Sequence, residues 1–159
     1  MAFNHFILRS PPGGLTTAAA ISLLQVATSA TRGVEILRAS LTQRGSVTSV
    51  QEKIALVRKS AAATVTAAAI GTTLNKGNPN DQSPSLQLGV ALTGTTATVE
   101  GTNTDITLEE GFNVLAGWLY LPVPEERISI PAASFLAMTF LAAPASQVWY
   151  PEIVMRETT

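Results

Sequence analysis

The sequence predicts an all-β protein, a two-sheet antiparallel sandwich of jelly-roll-like form with an N-terminal arm. Short segments rich in β-branched, aromatic and other apolar residues recur at spacings of about 8–12 residues. Glycine, proline, asparagine and serine cluster between these segments and indicate turns. No linker or strict repeat divides the 159 residues. We therefore expect one domain, residues 15–159, preceded by an arm, residues 1–14.

The first half of the chain opens with an apolar stretch that the breaker Pro11–Gly14 separates from the rest. An arm of this kind is expected to dock on its own domain or on a partner. The centre of a later segment, Ile54–Val57, is apolar on both faces, which is typical of a strand covered on two sides. The predicted strands are residues 17–28, 33–41 and 50–59; residues 60–74 are predicted as a short strand, a loop or a single helical turn, and 76–85 as a loop.

The second half contains the strongest strand pattern, in residues 110–122. Its apolar side chains alternate between two faces, and we interpret the aromatic face as core. One face carries Phe112, Val114, Ala116, Trp118 and Tyr120, and the other carries Leu115, Leu119 and Leu121. Further strands are predicted at 85–92, 95–99, 127–130, 134–142 and 147–156, with turns at 93–94 and 101–105.

Charge and composition exclude several classes of protein. The net charge is -1 and no basic run exceeds Arg58–Lys59, so the chain lacks the basic patch of a nucleic-acid binder. It has no cysteine, which excludes disulfides and thiolate metal sites. The apolar run 18–27 is too short to span a membrane, and we interpret residues 16–30 as a bulged strand rather than a signal peptide. Only 13% of residues are charged, which indicates a surface that is buried against neighbours.

Residues that could carry catalysis are few and poorly placed. The only histidine, His5, lies in the predicted arm. Neighbouring residues on a strand point to opposite faces, so neither Glu109–Glu110 nor Glu125–Glu126 is the facing carboxylate pair that glycoside hydrolysis needs. The loops 101–105 and 78–81 offer oxygen ligands for calcium, but Asx turns explain both without an ion. We expect no catalytic residue, no cofactor and no metal, and interpret the protein as non-enzymatic.

The segment 110–130, with the sequence EGFNVLAGWLYLPVPEERISI, resembles a stretch of the decoration or cement proteins of tailed phages, which are small jelly-roll or sandwich proteins on the capsid exterior. The rest of the chain is similar to them in layout only. The resemblance implies a homotrimer at threefold positions of the shell that bridges major capsid subunits and resists the pressure of packaged DNA. It also implies that the protein is made in the host cytoplasm and lies on the outer surface of the virion.

The first hypothesis is therefore a phage capsid decoration protein whose partners are the major capsid protein and other copies of itself, with no nucleic acid and no membrane. An alternative is a carbohydrate-binding or host-recognition sandwich module, or another head or tail component. An enzymatic function would rest on the glutamate pairs alone. The candidate capsid or oligomer contacts lie in the arm and are Phe3, His5, Phe6, Ile7 and Leu8.

Overall fold

The structure is a computed structural model that describes residues 4–46 and 48–158. Within these residues it contains thirteen β-strands and a single 3-10 turn, Pro124–Glu126. The strands are β1 His5–Arg9, β2 Leu15–Thr17, β3 Ser22–Ala27, β4 Gly33–Arg44, β5 Gln51–Ala61, β6 Thr64–Ala67, β7 Leu74–Lys76, β8 Gly94–Val99, β9 Thr102–Asn113, β10 Trp118–Tyr120, β11 Ser129–Ile130, β12 Phe135–Thr139 and β13 Gln147–Thr158.

The strands form two antiparallel sheets that pack face to face as an open sandwich. The first sheet has the order β10-β4-β13-β1-β7, with β11 also paired to β4 and β2 to β13. The second sheet has the order β6-β8-β3-β12-β5-β9. This arrangement confirms the predicted all-β, two-sheet antiparallel sandwich.

The main core lies between the two sheets and is centred on Trp149. Alternate residues of β13, from Trp149 onward, are buried, as expected for a strand with one face on the core. The Trp149 ring is 0% exposed and lies 4.9 Å, between centroids, from Phe140 and 6.2 Å from Phe112. Since Phe140 follows β12 and Phe112 belongs to β9, this aromatic group joins the first sheet to the second.

The second sheet contains a long antiparallel ribbon of two paired stretches of chain, and this ribbon bends across the outer face of the sheet. Two stretches of chain, 51–67 and 94–113, pair along their length, β5 with β9 and β6 with β8. In the same sheet β5 also pairs with β12, and β8 pairs with β3. The two ends of the bent ribbon therefore flank the β3–β12 pair, with β8 on one side and β5 on the other. Under the bend lies a second small core of Ala63, Val65 and Ala97, with Ile21 packed against it.

The bend of the ribbon depends on a close approach of two backbones. A Cβ added to Gly101 would lie 2.0 Å from the carbonyl oxygen of Ala61, a distance that no side chain permits. Glycine at this position allows the two stretches to cross tightly. All four residues of Ile54–Val57 are buried, so both faces of this part of β5 are covered, as the sequence predicted.

The described part of the predicted arm belongs to the sandwich. Residues 5–9 form β1, which lies between β13 and β7 in the first sheet. Phe6 is paired with Met155 and Leu8 with Ile153, and the side chains of Phe6 and Leu8 are fully buried. The apolar residues from which an arm was predicted alternate in burial along β1, as in an inner strand with one face on the core.

Four predicted elements were wrong. Residues 110–122 are not one strand, because a turn at 114–117 ends β9 and Gly117 has a φ of +75°, which a strand cannot continue through. The predicted strand 17–28 divides into β2 and β3, and β9 begins at Thr102, where a turn was predicted. Residues 85–92 contain no strand: Leu86 is buried in the core, and the only described β-pairing of this stretch is the isolated bridge between Leu88 and Thr93.

Candidate functional site

The predicted contact residues of the opening segment are split by the fold. Phe3 lies outside the described residues. Phe6 and Leu8 are 0% exposed and help to form the core, so they offer no surface to a partner. His5 is exposed and Ile7 is half-buried on the outer face of the first sheet. The structure therefore leaves His5 and Ile7 as the only described members of this set that face outward.

A more extensive apolar surface lies where the chain passes from the second sheet to the first. Leu115, Leu119, Leu121 and Val123 are 51%, 58%, 67% and 55% exposed, and we refer to these four residues as the apolar ridge. From β10 onward the exposed and covered residues alternate, so that three ridge residues point outward along one edge of the first sheet. Exposed apolar residues grouped in this way mark sites of association more often than isolated exposed residues do.

The ridge is backed by a braced aromatic pair. The rings of Trp118 and Tyr120 are stacked at 6.5 Å with an interplanar angle of 12°. The indole Nε1 of Trp118 donates to Glu110 Oε2 at 2.6 Å, and the Tyr120 hydroxyl donates to the carbonyl oxygen of Glu126 at 2.8 Å. Burial raises the pKa of Tyr120 above its ordinary value, and the nearby charges of Glu126 and Glu110 raise it further. These contacts hold β10 in place, and with it the backbone that carries the ridge side chains Leu119 and Leu121.

Both sheets present an unpaired edge at this side of the sandwich. Among the described strands β10 is paired only with β4, and β9 only with β5. The edge of β9 carries Asp105, Glu109 and Glu110, and its pairing with β5 is interrupted by bulges, features that discourage strand addition. The edge of β10 is short and is followed by Pro122 and Pro124. A partner is therefore expected to contact the ridge side chains rather than extend a sheet.

Both carboxylates of the pair Glu109–Glu110 have structural partners. Glu109 forms an ion pair with Lys53 at 3.3 Å, while Glu110 points toward Trp118, as expected for neighbours on a strand. In residues 4–46 and 48–158 no three His, Asp or Glu side chains lie close enough together to hold a metal ion. The loop 78–81 is closed by its own Asx turn, in which Asn78 Oδ1 accepts from the Asn80 amide at 3.0 Å.

Sequence reasoning placed Leu115, Leu119 and Leu121 on the face opposite Trp118, but it did not show that they are exposed. The sequence signal for these residues was the alternation of apolar side chains on two faces, and this pattern is equally compatible with a strand that is buried on both faces. Leu119 and Leu121 are exposed because they point away from the core at the edge formed by β10, and Leu115 is exposed because it lies in the turn that follows β9.

Comparison with known proteins gave no match: neither a family model, nor a curated protein, nor a solved structure is significantly similar to this chain. No helix that could span a membrane occurs in the described part of the chain.

Proposed function

We propose that this chain is a non-enzymatic structural protein that coats and stabilises a phage capsid by binding major capsid subunits, with a homotrimer as its working form. The observation that carries the proposal is the apolar ridge of Leu115, Leu119, Leu121 and Val123, which is exposed and rigidly backed. A coat protein needs such a surface, because its only chemistry is association.

The energetics of the ridge fit a protein that works by repeated contacts. Burying a fully exposed leucine or valine contributes about 1.5–3 kcal/mol, so each ridge residue, a little over half exposed, contributes about 1 kcal/mol or more when covered. A few kcal/mol per subunit gives weak binding for a single copy. Linking copies in an oligomer multiplies that affinity on a repetitive shell without any new contact.

The surroundings of the ridge also suit an interface. Glu125 and Glu126, exposed on the 3-10 turn, border it with charge. An apolar centre with a polar rim is the usual anatomy of a protein–protein interface. This assignment moves the proposed contact surface from the opening segment to the edge formed by β10, because Phe6 and Leu8 are used by the core.

The test is co-sedimentation of the purified protein with shells of the major capsid protein from the same virus. Wild type is expected to bind saturably, and the double variant Leu119→Glu, Leu121→Glu is expected to bind at least about tenfold more weakly. The matched control is Val90→Glu, since Val90 is 61% exposed beside β6, at the far edge of the second sheet. Wild-type protein that stays in the supernatant would refute the capsid function, and equal binding by the double variant would refute the role of the ridge.

A sugar-binding function is less well supported by the aromatic residues. Stacking on a sugar requires an exposed ring face, but Trp118 and Trp149 are 5% and 0% exposed. Their rings are engaged with other aromatic side chains. We therefore propose the structural function alone.

A further inference from the structure

A buried lysine lies between a carboxylate and an amide at the bend of the ribbon. The side chain of Lys59, on β5, is 0% exposed. Its Nζ lies 2.6 Å from Glu100 Oε2 and 3.0 Å from Asn103 Oδ1. Lys59 and Asn103 are directly opposite each other on the antiparallel strands β5 and β9. The Lys59 amine, the Asn103 carboxamide and the Glu100 carboxylate thus lie together, and of the three only the lysine side chain is buried.

We propose that Lys59 and Asn103 form an intramolecular isopeptide bond, with Glu100 as the acid–base group. The proposal is independent of the capsid function, because it follows from these three side chains alone. The product is a covalent link between β5 and β9 at the bend of the ribbon.

The reaction is a transamidation that needs no oxidant, metal or other reactant. Glu100 accepts a proton from the Lys59 ammonium, and the neutral amine attacks Cγ of Asn103 to form a tetrahedral intermediate. The N–Cγ bond forms, and Glu100 passes its proton to Nδ2 and takes the second proton from the attacking nitrogen. The Cγ–Nδ2 bond then breaks, which leaves the new amide neutral and Glu100 protonated. Lysine amine and asparagine amide become one secondary amide and one ammonia, so the atoms balance.

The carboxylate is oriented for this role by a third strand. Ser22, at the start of β3, donates its backbone amide to Glu100 Oε1 and its hydroxyl to Oε2 at 3.0 Å. These bonds fix the carboxylate against the lysine before reaction, which is the kind of preorganisation that lowers the barrier to proton transfer. Without a positioned base, a buried lysine would have no group to take its proton.

The two reacting groups differ in exposure to solvent: the Lys59 side chain is buried and Asn103 is exposed. Burial removes water that would otherwise solvate the Lys59 ammonium, while Asn103 is exposed, so the ammonia can leave to solvent. Because Cγ of Asn103 is bonded directly to Oδ1, the amine is already next to the atom that it attacks. The chain offers an internal comparison: Lys53, on the same strand and also paired with a glutamate, is 72% exposed.

The test is the intact mass of the folded wild-type protein. We expect it to be lighter than the sequence mass by one ammonia, and we expect Lys59→Arg and Glu100→Gln to restore the full mass. Asn103→Asp keeps an electrophilic carboxyl and is expected to lose one water instead. The control Lys53→Arg should keep the loss of ammonia.

Peptide mapping places the bond. Trypsin cannot cleave after a lysine whose amine is acylated, so the digest should contain residues 59–76 joined to 77–127, as one species with two N-termini. A wild-type protein at its full sequence mass would overturn the proposal. Loss of ammonia that persists in Lys59→Arg would also overturn it, since that result would indicate a succinimide at asparagine.

Discussion

Replacement of Gln25 should test whether the hydrogen bonds of one buried side-chain amide hold the bent ribbon against the rest of the sandwich. Gln25 lies in the middle of β3 on the face beneath the ribbon and is 0% exposed. Its Oε1 accepts from the Ala63 amide at 2.8 Å, and its Nε2 donates to the carbonyl oxygens of Leu92 at 2.7 Å and Ala63 at 3.2 Å. One side chain therefore satisfies three backbone groups of the chain that covers it.

The variant Gln25→Leu keeps the approximate size of the side chain and removes all three hydrogen bonds. Each buried backbone group left without a partner costs about 1–3 kcal/mol, so the three together should lower the free energy of unfolding by about 3–9 kcal/mol. The total for a domain of this size is about 5–15 kcal/mol, so the variant should be severely destabilised. Gln25→Glu should lose a similar amount, because it directs a carboxylate at two carbonyl oxygens.

The measurement is urea denaturation followed by tryptophan fluorescence, with Gln51→Leu as the control, since Gln51 is exposed on the same ribbon. The control should stay within about 0.5 kcal/mol of wild type. If Gln25→Leu also stays within about 1 kcal/mol, the three groups must find other partners, and the reasoning about the ribbon fails.

Three further predictions follow from the fold. Trp118→Phe removes the indole donor to Glu110 and should lower the free energy of unfolding by about 1–2 kcal/mol in thermal denaturation; no change would mean that water replaces the donor. Gly101→Ala should cost more than about 2 kcal/mol, because its Cβ would lie 2.0 Å from a carbonyl oxygen. Gly111→Ala on β9, whose Cβ would lie 3.8 Å from its nearest neighbour, should be tolerated. The raised pKa of Tyr120 means that unfolded chains release this proton first, so stability should fall as the pH rises through the ordinary tyrosine pKa toward the folded one. Tyr120→Phe should reduce that fall, and an ultraviolet difference titration between wild type and Tyr120→Phe that places this phenol at its ordinary pKa would contradict the prediction.

Local pattern was enough to predict the fold class and several strands. The alternation in residues 33–41, 50–59 and 147–156 corresponds to β4, β5 and β13, each of which extends beyond the predicted bounds. Alternation reports a strand whenever one face meets the core, and this relation needs no knowledge of the partner strand. The aromatic residue Trp118 was correctly placed in the core for the same reason.

Long-range pairing could not be predicted from local pattern. In the sequence Arg58–Lys59 was only the longest basic run. The fold of the ribbon, which brings Glu100 to Ser22 across 78 residues of sequence, is what buries Lys59. In the same way the alternation of residues 110–122 continues through a change of sheet, since Gly117 turns the chain without interrupting the apolar period. The period of the apolar residues indicates which face of a strand meets the core, but it does not indicate to which sheet the strand belongs.

The ribbon and the ridge are mechanically connected through β9. One end of this strand lies at Asn103, beside Lys59, and the other end carries Glu110, which holds Trp118 beneath the ridge. A force applied to the ridge would pull on the free edge of the second sheet, where hydrogen bonds to β5 can break one after another. A covalent bond at Lys59 and Asn103 would stop this peeling at the bend, because the strand cannot separate past a cross-link. The two proposals therefore make a joint prediction: loss of the cross-link in Lys59→Arg should leave binding to shells unchanged at rest and reduce the force at which the domain unfolds when pulled.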